Sequence, residues 1–108
     1  MMKNTANGPG DWVDAGPGVR RRIMGQVPEM MMVEVAFQKG AIGPQHSHPH
    51  AQSSYVAEGR FEVVIEGATQ ILTAGQSFVV APDLRHGVLA IEAGRLIDTF
   101  SPRRDDFL

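Results

Sequence analysis

Apolar and polar residues along this chain alternate in short runs instead of recurring every three or four positions. Phe61, Val63 and Ile65 alternate with Glu62, Val64 and Glu66. In an extended strand that spacing places an apolar row on one side and a partly charged row on the other. Similar runs predict strands near 19–24, 31–37, 53–58, 60–66, 69–72, 77–80, 87–91 and 95–100. No stretch of ten or more residues keeps helical spacing, so helices should be scarce. The 12 glycines and 7 prolines are spread throughout and punctuate the runs. Gly67-Ala68 predicts a hairpin turn, and Glu58-Gly59 and Ala74-Gly75 predict corners where glycine takes up positive φ at little steric cost. Short strands between frequent turns are the pattern of an all-β sandwich or barrel.

Length sets the scale of that barrel. A chain of 108 residues supports one hydrophobic core and is too short for two. The expected division is a flexible N-terminal arm over 1–11, rich in Gly, Asn and Pro, or a strand lent to a partner, followed by one β-barrel over 12–108. A net charge of −2 supplies no basic field for nucleic acid or an anionic membrane. A small neutral or anionic ligand fits better. The first residues lack a signal-peptide core, and no apolar run approaches the roughly 20 residues that span a bilayer, so a cytoplasmic protein is expected. Cysteine is absent, which removes disulfides, thiolate nucleophiles and sulfur ligands and leaves nitrogen and oxygen for any metal.

The histidines carry the strongest chemical signal. His46, His48 and His50 lie within five residues, and His86 stands alone several strands later. Two apart in an extended segment, His46 and His48 leave the backbone on one side and can grip one ion. Pro49 then interrupts the strand, so His50 is expected in a solvated or supporting role. Gln52 offers an amide oxygen, and the turn-like Ala81-Pro82-Asp83 can swing His86 toward the first pair. Three imidazoles and one amide oxygen suit zinc, nickel, iron, copper or manganese and leave positions open for water or substrate.

The series His46-Ser47-His48, three residues, Gln52, six residues, Gly59 resembles the first cupin motif. The second is echoed by Gly75, five residues, Ala81, Pro82, Asp83, then His86. This resemblance implies a single-domain cupin, a jelly-roll barrel or double-stranded β-helix, with a divalent metal held by His46, His48, Gln52 and His86. Gln52 stands where many cupins carry a glutamate, so the site has one negative charge fewer and its metal is a stronger Lewis acid. Ala81 and Asp83 replace the usual proline and glycine, and aspartate adopts left-handed turn geometry more readily than most residues.

His46-Ser47-His48-Pro49-His50-Ala51-Gln52, taken with residues 97–106, resembles more narrowly the pectin-degradation cupins of the KdgF type. That group converts 4,5-unsaturated monouronates into linear keto sugars and uses glutamine among its metal ligands. Its usual glutamate before the glutamine is Ala51 here. The resemblance implies that Asp98, Phe100 and Arg104 serve the active site. Alternation independently places Leu96, Asp98 and Phe100 on one side of a strand, where a carboxylate among apolar neighbours has a raised pKa and can exchange protons with a substrate. Arg104 would hold the uronate carboxylate. The expected function is therefore a metal-dependent isomerase or lyase acting on a small sugar acid, and a homodimer is expected. The rival readings are an iron-dependent dioxygenase, since a scaffold alone does not choose its chemistry, and a non-catalytic module that binds metal and a small ligand.

Two further runs draw attention. Strand alternation splits Arg20-Arg21-Arg22 over two faces, favouring a solvated or intersubunit role over phosphate binding. Met30-Met31-Met32 fits core or dimer packing better than copper ligation.

Overall fold

A computed structural model describes residues 8–108; the part of the expected arm that falls on 1–7 lies outside the described residues. Eight strands account for most of the described residues: β1 (Val13–Asp14), β2 (Val19–Val27), β3 (Met30–Phe37), β4 (Ile42–His46), β5 (Ala51–Ile65), β6 (Ala68–Thr73), β7 (Ser77–Val80) and β8 (His86–Ser101). A single 3-10 turn, Asp105–Phe107, follows them. Among the described residues no helix is long and apolar enough to cross a membrane.

Two strands organise the rest. The first half of β5 pairs with the second half of β8, and the second half of β5 with the first half of β8, from Ala51↔Ser101 to Ile65↔His86. β3 and β7 extend the pairing at one end, with β2 and β1 outside β3, while β4 and β6 extend it at the other. The chain thus forms two facing β layers joined through long strands that bend from one into the other.

Four separate strands were expected where the molecule has two bent ones. The bend sits where Gly59 in β5, at φ 88°, meets Gly94 in β8. A Cβ on Gly94 would lie 2.2 Å from the carbonyl oxygen of Glu58, and one on Gly59 would lie 2.6 Å from that of Ala93. Paired glycines therefore let the two backbones cross closely and turn together, with bulges in the register on either side. Here glycine bends a strand that the sequence pattern treated as ended. The hairpin between β5 and β6 turns through Glu66 and Gly67, at φ 48° and 80°, one residue earlier than expected and with the two positive values of a type I′ turn. β1 and β4 were not anticipated. β4 contains Pro44, which an edge strand tolerates because it leaves one side unpaired.

The core fills the space between the layers with Val19, Phe37, Val56, Phe61, Val63, Leu72, Phe78, Val80 and Leu96, with smaller Ala41 and Ala90. A second cluster, Met31, Val33 and Phe100, lies under β2. Met31 is buried while Met30 and Met32 face outward, as alternation requires. Arg20 and Arg22 likewise face outward, their guanidinium carbons 5.0 and 4.3 Å from the Trp12 ring. Arg21, half-buried, points to the opposite side of the strand and lines a cavity.

Candidate metal centre

The histidines meet because of strand register. His46 ends β4 and His86 begins β8, and the two are direct cross-strand partners. His48 lies in the loop after β4. The turn before β8 ties that loop down: Asp83, at φ 68°, donates its N–H to the His48 carbonyl at 2.8 Å. Aspartate thus occupies the left-handed position where the cupin motif usually has glycine. The ring of His86 lies 4.5 Å from that of His46 and 4.9 Å from that of His48, and the rings of His46 and His48 are 5.4 Å apart. One ring nitrogen from each of the three lies within 4.8 Å of the other two.

Each imidazole is oriented in the same way. Nδ1 of His46, His48 and His86 lies 2.8, 3.0 and 2.9 Å from the carbonyl oxygens of Pro44, His50 and Leu84. A carbonyl only accepts, so Nδ1 carries the proton and donates, and Nε2 is left as a bare lone pair. The amide of Gln52 is oriented just as firmly. Ser54 donates its hydroxyl proton to Asp98 Oδ1 at 2.6 Å. Its oxygen therefore accepts from Gln52 Nε2 at 2.9 Å, which turns Oε1 toward the imidazoles, 3.0 Å from His48 Nε2 and 3.2 Å from His86 Nε2. These contacts set acceptor against acceptor with no proton between them. Buried lone pairs facing one another are costly unless a cation lies among them, so the donor set fits a divalent metal. Burial lowers the pKa of His48 and His86, which keeps both imidazoles neutral and able to ligate at lower pH.

Ser54 also connects this cluster to a second one. Asp98 is only 8% exposed and accepts from Ser54. Desolvation pushes its pKa from 3.8 up to about 6, against the opposing effects of the Ser54 hydrogen bond and the charge of Arg104. Leu96 and Phe100 are buried beside it on the same side of β8. The Phe100 ring stands edge-on to His48 at 5.7 Å, and the Arg104 guanidinium carbon lies 5.0 Å from that ring. Arg104, 9% exposed, is gripped by Asp106 through Nε at 3.0 Å and Nη2 at 2.8 Å.

His46, Gln52, His86, Asp98, Phe100 and Arg104 all line one cavity of about 230 Å³, walled also by Val19, Phe37, Phe78 and Leu96. That volume falls below the ~300–1,000 Å³ of pockets for drug-sized ligands, so a ligand unit the size of a monosaccharide suits it. His50 stands outside the three-nitrogen cluster. Its backbone oxygen orients His48, and its own buried Nδ1 has no hydrogen-bond partner among the described residues. Ser54 and Arg21 join the site although neither was among the residues expected there. Both carried a signal: Ser54 shares the side of its strand with Gln52, and the middle residue of an arginine triplet in a strand faces opposite its neighbours.

Residues 33–100 match the model of the cupin domain family. The chain belongs to the cupin family. It is 50% identical over 99 residues to the pectin degradation protein KdgF of Dickeya dadantii, with 90% of each chain covered. KdgF from a Halomonas species superposes with a TM-score of 0.88 at 45% identity, over 91% of this cupin and 93% of that chain. An RmlC-like cupin from Shewanella frigidimarina superposes with a TM-score of 0.91 at 44% identity, covering 99% and 97%.

Proposed function

We propose that this cupin is a metal-dependent enzyme that opens small unsaturated uronates to linear keto sugars. In this reading His46, His48, Gln52 and His86 hold one divalent ion, and Asp98, Phe100 and Arg104 serve the substrate. The observation that carries it is the set of opposed lone pairs in a monosaccharide-sized cavity, linked through Ser54 to a carboxyl that titrates near neutrality. Similarity to a protein named for pectin degradation supports the substrate class. A donor set of three neutral nitrogens and one amide oxygen favours zinc, nickel, iron or manganese over calcium or magnesium, which prefer all-oxygen sites.

When bound, the ion supplies Lewis acidity toward substrate oxygens. Arg104 binds the carboxylate of the sugar acid through the donors that Asp106 leaves free. Phe100 forms the apolar wall against which the ring lies. Asp98, its pKa pushed up to about 6, takes a proton from a substrate hydroxyl as the ring C–O bond opens and delivers one as the enol becomes a ketone. No oxidant takes part. Ser54 acts at a distance by fixing the Gln52 amide, so Ser54→Ala is expected to lower metal affinity about 10- to 100-fold, measured by competition with a chromophoric chelator. The outward Met30 and Met32 on β3, with Tyr55 and Val79, supply apolar surface for the homodimer that we also infer, and size-exclusion chromatography tests it.

The test of function is elemental analysis of untagged protein, followed by incubation with 4,5-unsaturated galacturonate. One ion per chain and loss of the substrate's enol-ether absorbance, at equal rates with and without oxygen, is the expected result. A fully metallated protein that leaves this chromophore intact sinks the reading.

A further inference from the structure

We propose that Arg21 is a second carboxylate-binding residue in this cavity, an arginine with no ion-pair partner among the described residues. The proposal rests on the uronate reading above and deepens it. On β2, Val19, Arg21 and Ile23 share the inward side of the strand. Val19 and Ile23 pack into apolar clusters, whereas Arg21 lines the cavity that also holds Gln52, His86 and Arg104. An arginine in an inward apolar row calls for an explanation.

Its surroundings supply one. The guanidinium carbons of Arg21 and Arg104 lie 4.0 and 4.3 Å from the centre of the same ring, Phe107. Arg104 is already neutralised by Asp106, which occupies two of its nitrogens. Arg22, Arg95 and Arg103 also have carboxylate partners, whereas Arg21 has none among the described residues. An anion that approached Arg104 and Asp106 alone would meet a nearly neutral pair. Arg21 adds a second guanidinium against the same ring and offers all five of its donors. Burial and the charge of Arg104 weigh against its charged form, a cost that a bound carboxylate offsets. The uronate carboxylate thus meets Arg21 and the free Nη1 of Arg104, whose guanidinium groups both stand against the Phe107 ring.

The test uses the full metal-loaded chain and two probes of equal size, D-galacturonate and neutral D-galactose, titrated calorimetrically. Wild type is expected to prefer galacturonate, Arg21→Gln to lose about 10- to 100-fold of that preference, and Arg21→Lys to retain most of it. A role limited to holding Phe107 would shift the melting temperature and leave the preference intact, and that result overturns the proposal. So does a wild type with no preference. Turnover of unsaturated galacturonate separates the two claims. If wild type is active and Arg21→Gln keeps its KM, only the role of Arg21 fails. If galacturonate binding depends on Arg21 and wild type is inactive, only the reaction is wrong.

Discussion

Asp98→Asn is expected to reduce turnover of unsaturated uronates by about 10²- to 10⁴-fold, the usual contribution of a positioned acid or base, while metal content stays unchanged. Asparagine is nearly isosteric, and its Oδ1 can still accept the Ser54 hydroxyl, so the Ser54–Gln52 connection survives. What it lacks is a group that gives up and takes back a proton near neutral pH. The same carboxyl weakens the fold at neutral pH. Its folded value of about 6 lies above the ordinary 3.8, so between those values the folded chain holds the proton that the unfolded chain has released. The associated stability is complete below 3.8 and lost once pH has risen past about 6, a cost on the order of 3 kcal/mol at pH 7. Metal-free Asp98→Asn is therefore expected to melt above metal-free wild type at pH 7 and level with it near pH 4. Full activity in the variant contradicts the proton-transfer role, and equal melting at pH 7 contradicts the cost of burial.

How much of this was legible beforehand depended on whether a feature was local. The alternation around Phe61 and the pairing of His46 with His48 are properties of a few adjacent residues, and strand geometry follows from them directly. The approach of His86 depended on a second motif, and the ring distances of 4.5 and 4.9 Å fall within the roughly 6 Å that shared ligation of one ion allows. Gly59 misled because a glycine signals positive φ without saying whether the chain ends or bends there. The difference lies in Gly94, which is 35 positions later and visible only once the two backbones cross. Arg21 misled for a related reason. Alternation split the arginine triplet over two faces, yet no local pattern could report that Arg21 would line the cavity without an ion-pair partner.

Adding a divalent ion to metal-free protein is expected to raise the melting temperature by about 10 °C or more once free ion reaches about 100 times its dissociation constant. Such an excess is worth about 2.7 kcal/mol, and each kcal/mol moves the midpoint of a domain this size by about 4–8 °C. His86→Ala removes one nitrogen and the cross-strand partner of His46, so both the thermal shift and turnover are expected to vanish. A variant that keeps the shift shows that the ion binds elsewhere. The pH dependence gives a second, independent check. His48 and His86 titrate below the ordinary 6.5 in the folded chain because burial disfavours their charged forms, so the unfolded chain takes up protons first as the solution is acidified. Stability from the neutral rings is therefore complete above 6.5 and lost as pH falls through their lower folded values. Protons also compete with the metal for the same lone pairs, so the metal-induced shift should persist somewhat below that pH and then collapse. Free imidazoles on a solvated surface would instead lose the ion near their ordinary pKa, and a scan of the thermal shift against pH distinguishes the two.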